Sequence, residues 1–216
     1  MTPSVFYNLL EGWNLLKYWK IFLEHNTALN APYHNQFHTE CVMKNTYLLS
    51  VKHLTSPNDG FKEKEKKSRQ IKKLLIAALF HDFNHSAGEK SDAENVQKAI
   101  KAFLEHSFES EEDNKEIISI IKATQFPYVI DEKDLSLSQQ IIRDADMMQM
   151  FEPNFFQQII VGLLHTELKI PTLKGCVDAQ MKFMANTHFR TETAKQKFVV
   201  EAPKIIEDLK ILKNIL

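Results

Sequence analysis

Apolar residues recur at steps of three and four along almost the whole chain, and strictly alternating stretches are hard to find. That periodicity predicts an all-α protein of about nine helices. The pattern places helices over about Pro3–Glu24 and Pro32–Lys52, then one that opens in KEKEKKSRQIKK and runs through LLIAALFHD. Further helices follow over Asp92–Glu105, Glu111–Thr124, Leu137–Phe151, Asn154–Leu168 and Gly175–Asn186, with a last one from Thr191 onward. Two boundaries carry capping-box spacing, Ser91 with Glu94 and Ser136 with Gln139. Pro32, Pro153 and Pro171 fall at predicted helix starts, where a missing N–H costs nothing. Loops are expected at Thr55–Phe61, Ser86–Lys90 and Phe126–Asp134. No internal repeat or low-complexity segment divides the chain, so residues 1–216 read as one domain.

Composition narrows the function classes. Lys and Arg number 27 against 28 Asp and Glu, a formal net charge of -1, which argues against a nucleic-acid polymer or an anionic membrane as partner. Cys41 and Cys176 are too few for a disulfide scaffold and show no CxxC spacing, so a reduced, cytoplasmic setting is expected. The N-terminal stretch is apolar but carries Glu11, Lys17 and Lys20 and lacks a small-residue cleavage site. The uncharged run LLIAALF is far shorter than the roughly 20 residues of a membrane span. The block around Lys62–Lys73 mixes signs and reads as a solvated helix start, with steering of a phosphorylated substrate as the alternative.

Three clusters carry chemistry. In YHNQFH, His34 and His38 stand four apart, which on a helix puts them on one face about one turn from each other. Both then reach one metal, or one binds metal while the other serves a substrate. HDFNH places His81 and Asp82 directly after LLIAALF, where a buried imidazole and carboxylate are costly unless paired or metal-bound. A helix-capping Asp82 beside a core His81 is the plainer reading, but it leaves His85 unexplained. In IIRDADMMQMF, Asp144 and Asp146 differ by about 200° around a helix, so only one faces a given site. Ile142, Gln149 and Met150 give Asp146 the more apolar side, while Arg143 is the expected ion-pair partner of Asp144. Imidazoles and carboxylates from three helices make a mixed nitrogen and oxygen set for a borderline or hard divalent ion.

The order His38, His81-Asp82, Asp146 resembles the HD-domain metal-dependent phosphohydrolase superfamily. YHNQFH is similar to the YHNxxH signature shared by class I cyclic-nucleotide phosphodiesterase catalytic domains and a group of small bacterial predicted HD phosphohydrolases. HDFNH is similar to the HDxxH form, and the AD of RDADMMQ to the dipeptide that ends on the last metal ligand. The resemblance covers roughly Tyr33 to Phe151, within a motif-bearing core of about residues 30–152. It implies an HD-domain helical bundle in which His38, His81, Asp82 and Asp146 hold a first divalent ion, with Asp82 bridging to a second. One or two ions per chain are implied, and the ligand types do not select between Zn, Mn, Fe and Mg. His34 is then the general acid and His85 a neighbour of the bridging hydroxide. Asn35 orients the first motif and joins the substrate-binding set.

What the resemblance implies about activity is hydrolysis of a small phosphoester, of a nucleotide, by metal-activated hydroxide with a histidine acid. A 3',5'-cyclic-nucleotide phosphodiesterase and a non-catalytic metal- or nucleotide-binding module are the alternatives. The phosphodiesterase domains are longer than this chain and clamp their purine with a glutamine and a phenylalanine. Gln180 and Phe183 stand at that Gln-x-x-Phe spacing, against the alternative of a surface glutamine beside a core phenylalanine. The small bacterial group has an acidic residue soon after its HD, for which SDAENVQKA offers Asp92 and Glu94, the latter already explained as a capping partner. His25, His53, His106, His165 and His188 read as structural or surface histidines, and Trp13, Tyr18 and Trp19 as core or a seam between copies.

Overall fold

The computed structural model describes residues 3–216; Met1 and Thr2, the first residues of the expected domain, lie outside the described residues. Every regular element among the described residues is helical. The expected first helix is two, α1 (Pro3–Gly12) and α2 (Leu16–His25). Between them Asn14 takes a φ of 55°, a left-handed conformation that asparagine tolerates and an α-helix does not. The apolar spacing continues across that break, which is why periodicity alone misses it.

The second helix, α3 (Gln36–Leu54), starts later than Pro32 suggests. Asn35 is its N-cap, with the side-chain oxygen accepting from the His38 backbone N–H at 3.0 Å. His34 therefore precedes the helix, and His34 and His38 do not share a helical face. α4 (Phe61–Phe80) follows, then α5 (Asp92–His106), α6 (Glu111–Lys122) and α7 (Leu137–Met147), which continues into a 3-10 turn over Met148–Phe151. Both predicted capping boxes form, at Ser91–Glu94 and Ser136–Gln139. A π-helix spans Phe156–Glu167, and α8 (Leu173–Asn186) and α9 (Glu192–Ile215) complete the bundle.

α4 is the axis of the core. Leu74 through Phe80 are each at most 1% exposed, because α2, α3, α5, α6 and α7 all pack against this helix. An apolar stretch without a polar face is what enclosure on all sides demands. Its charged first half lies outside that enclosure. There Lys67 pairs with Asp59, Arg69 with Asp113 and Lys72 with Glu109, each at 2.7 Å. Tyr18 and Trp19 are buried: Trp19 stacks on Phe22 with ring centroids 4.9 Å apart, and Trp13 lies edge-on to Tyr47. Phe22, Phe80, Phe83 and Phe103 are each at most 1% exposed and form an aromatic base under the turn that follows α4.

Candidate metal centre

Three local structures aim their side chains at one point. The first is the turn after α4, where the apolar helix stops at Phe80 and the chain turns through His81–His85. Asn84 makes the turn possible by taking a φ of 61°. Its backbone N–H donates to Asn26 Oδ1 at 2.8 Å, and its own Oδ1 accepts from the Thr27 backbone N–H at 2.8 Å. Because residues 81–85 form a turn, His85 is not one helical step beyond His81, and it serves a different place. The second structure is the capped start of α3, which carries His38. The third is α7, where Asp146 faces the first two and Asp144 faces away.

The convergence is close. His38 Nε2 lies 3.2 Å from His81 Nε2, 3.0 Å from Asp82 Oδ2 and 3.3 Å from Asp146 Oδ1. His81 Nε2 lies 2.9 Å from Asp82 Oδ2 and 3.9 Å from Asp146 Oδ1. Ligands held about 2.1 Å from an ion and at right angles around it stand about 3 Å apart, so most of these separations are those of neighbouring ligands. The side chains of His38 and His81 are 1% exposed, while Asp82 and Asp146 stay partly open to a cavity.

Hydrogen-bond accounting tests whether a cation fits. His81 Nδ1 stands 2.8 Å from the Ala78 carbonyl oxygen, which only accepts, so Nδ1 carries the hydrogen. A neutral His81 then turns a bare lone pair at Nε2 toward the Asp82 carboxylate and toward His38 Nε2. Two nitrogens and two carboxylate oxygens facing one another this closely need positive charge between them. Protons do this in the absence of metal. Burial alone would push the His38 pKa down, but hydrogen bonding to Asp146 and Asp82, with their charges, overrides it and holds it at about 10. His81 is raised in the same way, its burial outweighed by the charge of Asp82. Asp82 is held well below the usual carboxylate range; burial opposes this, and the charges of His81 and His34 with hydrogen bonds from His38 and His81 prevail. His38, His81, Asp82 and Asp146 would hold a divalent ion in place of those protons, and their two-nitrogen, two-oxygen donor set suits one.

Above this point opens a cavity of about 490 Å³, within the range of small-molecule sites. Asp82 and Asp146 lie on its floor, and Tyr33, His34, His85, Lys90 and Asp92 line it beside them. His34 is fixed by a residue that sequence reasoning missed, Glu167, at the end of the π-helix. Glu167 Oε1 accepts from the backbone N–H groups of Tyr33 at 2.7 Å and His34 at 3.1 Å, and Oε2 pairs with His34 Nδ1. Glu167 is 2% exposed. Burial would raise its pKa, yet the hydrogen bond from His34 and the His34 charge keep it lowered. Leu163 and Leu164, four and three residues before it, supply the signal that was available: a helical phase that turns Glu167 inward. Gly88 closes the other side with a φ of 85°, and a Cβ there would overlap the Glu167 carbonyl oxygen.

His34, His85 and Glu167 form a second cluster of metal-ligating types, in which His34 Nδ1, Glu167 and both nitrogens of His85 meet protein partners and His34 Nε2, among the described residues, does not. His85 Nδ1 accepts from the Ala87 backbone N–H at 3.1 Å, and Nε2 meets the Asn95 side-chain amide at 2.9 Å. The His34 and His85 rings stack with centroids 3.5 Å apart.

Gln180 and Phe183 both line the cavity. Gln180 is the buried one, 3% exposed, and its Nε2 has no hydrogen-bond partner; Phe183 is the exposed one at 37%. That is the reverse of a surface glutamine beside a core phenylalanine. Asn35 does not line this cavity: beyond its capping bond it donates to the Ala31 carbonyl oxygen at 3.0 Å. Asp92 does line it and accepts from the Phe126 backbone N–H at 2.6 Å, whereas Glu94 is the capping-box partner. None of the lysines of Lys62–Lys73 reaches the cavity lining.

Asp144 is corrected as to its partner. It is fully buried and accepts from the backbone N–H groups of Arg190 at 3.0 Å and Thr191 at 2.6 Å, while Arg143 points elsewhere. Adjacent helical residues diverge by about 100°, so Arg143 and Asp144 reach different parts of the fold. Cys41 and Cys176 are buried free thiols and take no part in the metal-ligating clusters.

No curated protein matches the chain. No helix among the described residues is long and apolar enough to cross a membrane. The sequence profile of the HD domain matches residues 38–150, just over half of the chain, from the first histidine of the convergent set to just past its last aspartate. With His38, His81 and Asp82 gathered at one point inside an all-helical bundle and Asp146 3.3 Å from His38 Nε2, the chain belongs to the HD-domain family of metal-dependent phosphohydrolases.

Proposed function

We propose that the protein hydrolyses a small phosphoester, best matched by a nucleotide, with His34 as the proton donor to the leaving oxygen. The observation that carries this reading is the adjacency of two devices at one cavity: the convergent His38, His81, Asp82 and Asp146, and the His34–Glu167 pair. Those four residues would hold a divalent ion, which would supply an acidic water and charge neutralisation at the phosphoryl oxygens. The remaining work belongs to the chain. Glu167 engages His34 Nδ1, which leaves Nε2 to carry the transferable proton, and its negative charge stabilises the imidazolium. His85, stacked on His34 and tethered to Asn95, fixes the plane of that ring.

The nucleotide preference rests on the far wall. An unpartnered buried amide at Gln180 suits the donor and acceptor edge of a base, and the Phe183 ring offers a stacking face. Because both face the same cavity as the metal centre, a 3',5'-cyclic-nucleotide phosphodiesterase is the second reading.

Mononucleotides, cyclic AMP and cyclic GMP, each assayed with Zn-, Mn-, Fe- and Mg-loaded protein, test both readings. Turnover of a mononucleotide supports the first and turnover of a cyclic nucleotide the second. His34→Asn should keep its metal and lose about 100- to 10,000-fold in rate. Tight nucleotide binding without turnover under any of these metals would overturn catalysis in favour of a binding module.

A further inference from the structure

The cavity wall between α6 and α7 carries a polar group to which the reading above gives no task. Tyr128 lines the cavity, half-buried, and its hydroxyl makes no hydrogen bond among the described residues. Its ring is held more firmly than a loop residue requires. The Arg143 guanidinium lies 4.0 Å from the ring centroid and the Arg190 guanidinium 4.8 Å. Arg190 is itself tied down, 2.9 Å from Glu132 and 3.6 Å from Asp144.

Arg143 is 1% exposed and has no carboxylate within ion-pair distance among the described residues. It donates from Nε to the Ala123 carbonyl oxygen at 2.6 Å and from Nη2 to the Ile130 carbonyl oxygen at 3.2 Å, while Nη1 is buried without a partner. Enclosing a cation without a counter-charge is costly, and an apolar side chain of the same size would fill the space more cheaply. What the guanidinium does instead is staple both ends of the segment that carries Tyr128. Asp92, through the Phe126 backbone N–H at 2.6 Å, anchors the middle. Burial, together with the charge of Asp146, holds the Tyr128 pKa at about 12, so the group is a neutral hydroxyl. Tyr128 lines the same cavity as Asp82 and Asp146 of the metal centre.

We propose that Tyr128 is a specificity-determining residue whose hydroxyl hydrogen-bonds the substrate within the cavity it shares with the metal centre, and that Arg143 is its positioning residue. The inference rests on the hydrolase reading for the substrate's orientation. Tyr128→Phe removes one oxygen and keeps the ring under Arg143, so the fold should be unaffected. The probes are AMP binding to Mn-loaded protein by calorimetry and steady-state kinetics on the same compound. For Tyr128→Phe, Kd and KM should rise about 2- to 12-fold, the worth of one neutral hydrogen bond, with kcat unchanged. Arg143→Met should raise KM at least as much and speed amide exchange across residues 123–130 while metal content stays as in the wild type.

Unchanged Kd and KM in Tyr128→Phe would overturn the proposal and leave the hydrolase reading intact. Loss of metal or of kcat in Arg143→Met would assign Arg143 to the metal centre instead and overturn its positioning role. Wild-type protein that binds AMP but hydrolyses no phosphoester would sink the hydrolase reading, while a weaker Kd in Tyr128→Phe would still support the contact. Wild-type protein that does not bind AMP would overturn the proposed contact and leave the hydrolase reading to the wider substrate screen.

Discussion

Glu167→Gln isolates the role of the proton-donor pair without touching the metal ligands. The substitution is nearly isosteric. One side-chain oxygen still accepts from the backbone N–H groups of Tyr33 and His34, as Oε1 does at 2.7 and 3.1 Å in the wild type. What changes is the atom facing His34 Nδ1: a carboxylate oxygen becomes an amide nitrogen, which donates. His34 is then favoured with its hydrogen on Nε2 and its lone pair on Nδ1, and the imidazolium loses its counter-charge. A hydrogen bond to a charged group contributes about 1.5–3 kcal/mol, so an ester with a poor leaving group should lose about 10- to 160-fold in kcat. The assay compares a nucleoside monophosphate with p-nitrophenyl phosphate, whose leaving oxyanion is stable near neutral pH and needs little protonation. The loss should be large for the first and small for the second, with metal content equal to wild type. Equal losses on both substrates, or a variant that loses its metal, would refute the assignment of Glu167 and His34 to leaving-group protonation.

Other outcomes follow from the same geometry. Gly88→Ala forces a Cβ onto the Glu167 carbonyl oxygen at a φ of 85°, so thermal unfolding should show a destabilisation of more than about 1 kcal/mol. In metal-free protein His38 is raised to about 10, so its stabilising effect is fully present below pH about 6.5 and is lost as pH rises through about 10. Divalent ions displace that proton, so their uptake at pH 7 should release protons in weakly buffered solution and their affinity should rise with pH. Uptake without proton release would count against His38 as a ligand. Glu167, whose pKa is lowered, contributes stability that is present above about pH 4.3 and lost as pH falls through its folded value; acid unfolding of Glu167→Gln should show a shallower loss there.

What the sequence made legible was local or periodic. Ser91 and Glu94 satisfy each other three residues apart, so their capping box needs no knowledge of the rest of the chain. LLIAALF announces an enclosed helix because it lacks a polar face, and helical phase puts Asp144 and Asp146 on different sides without saying which side meets the histidines: the fully buried one is Asp144, while Asp146 stays partly open. The parts that escaped depend on distant contacts or on single backbone angles. Glu167 meets Tyr33 and His34 across more than 130 residues of chain, and no spacing rule connects them. Asn14 ends α1 by one left-handed residue inside an unbroken apolar pattern. Asn35, rather than Pro32, starts α3, which moves His34 off the helix and into a position where Glu167 holds it. Arg143 and Asp144 looked like a pair because they are adjacent, yet adjacency on a helix is divergence in space, and their partners are Ala123 and Ile130 for one and residues 190–191 for the other.

Elemental analysis of the purified protein beside Asp82→Ala tests the central claim most directly. Asp82 stands within 3.0 Å of both buried imidazole nitrogens, so removing its carboxylate should empty the site. The account predicts one or two divalent ions per wild-type chain and none in the variant. A wild-type protein that stays metal-free after reconstitution with Zn, Mn, Fe or Mg would contradict it.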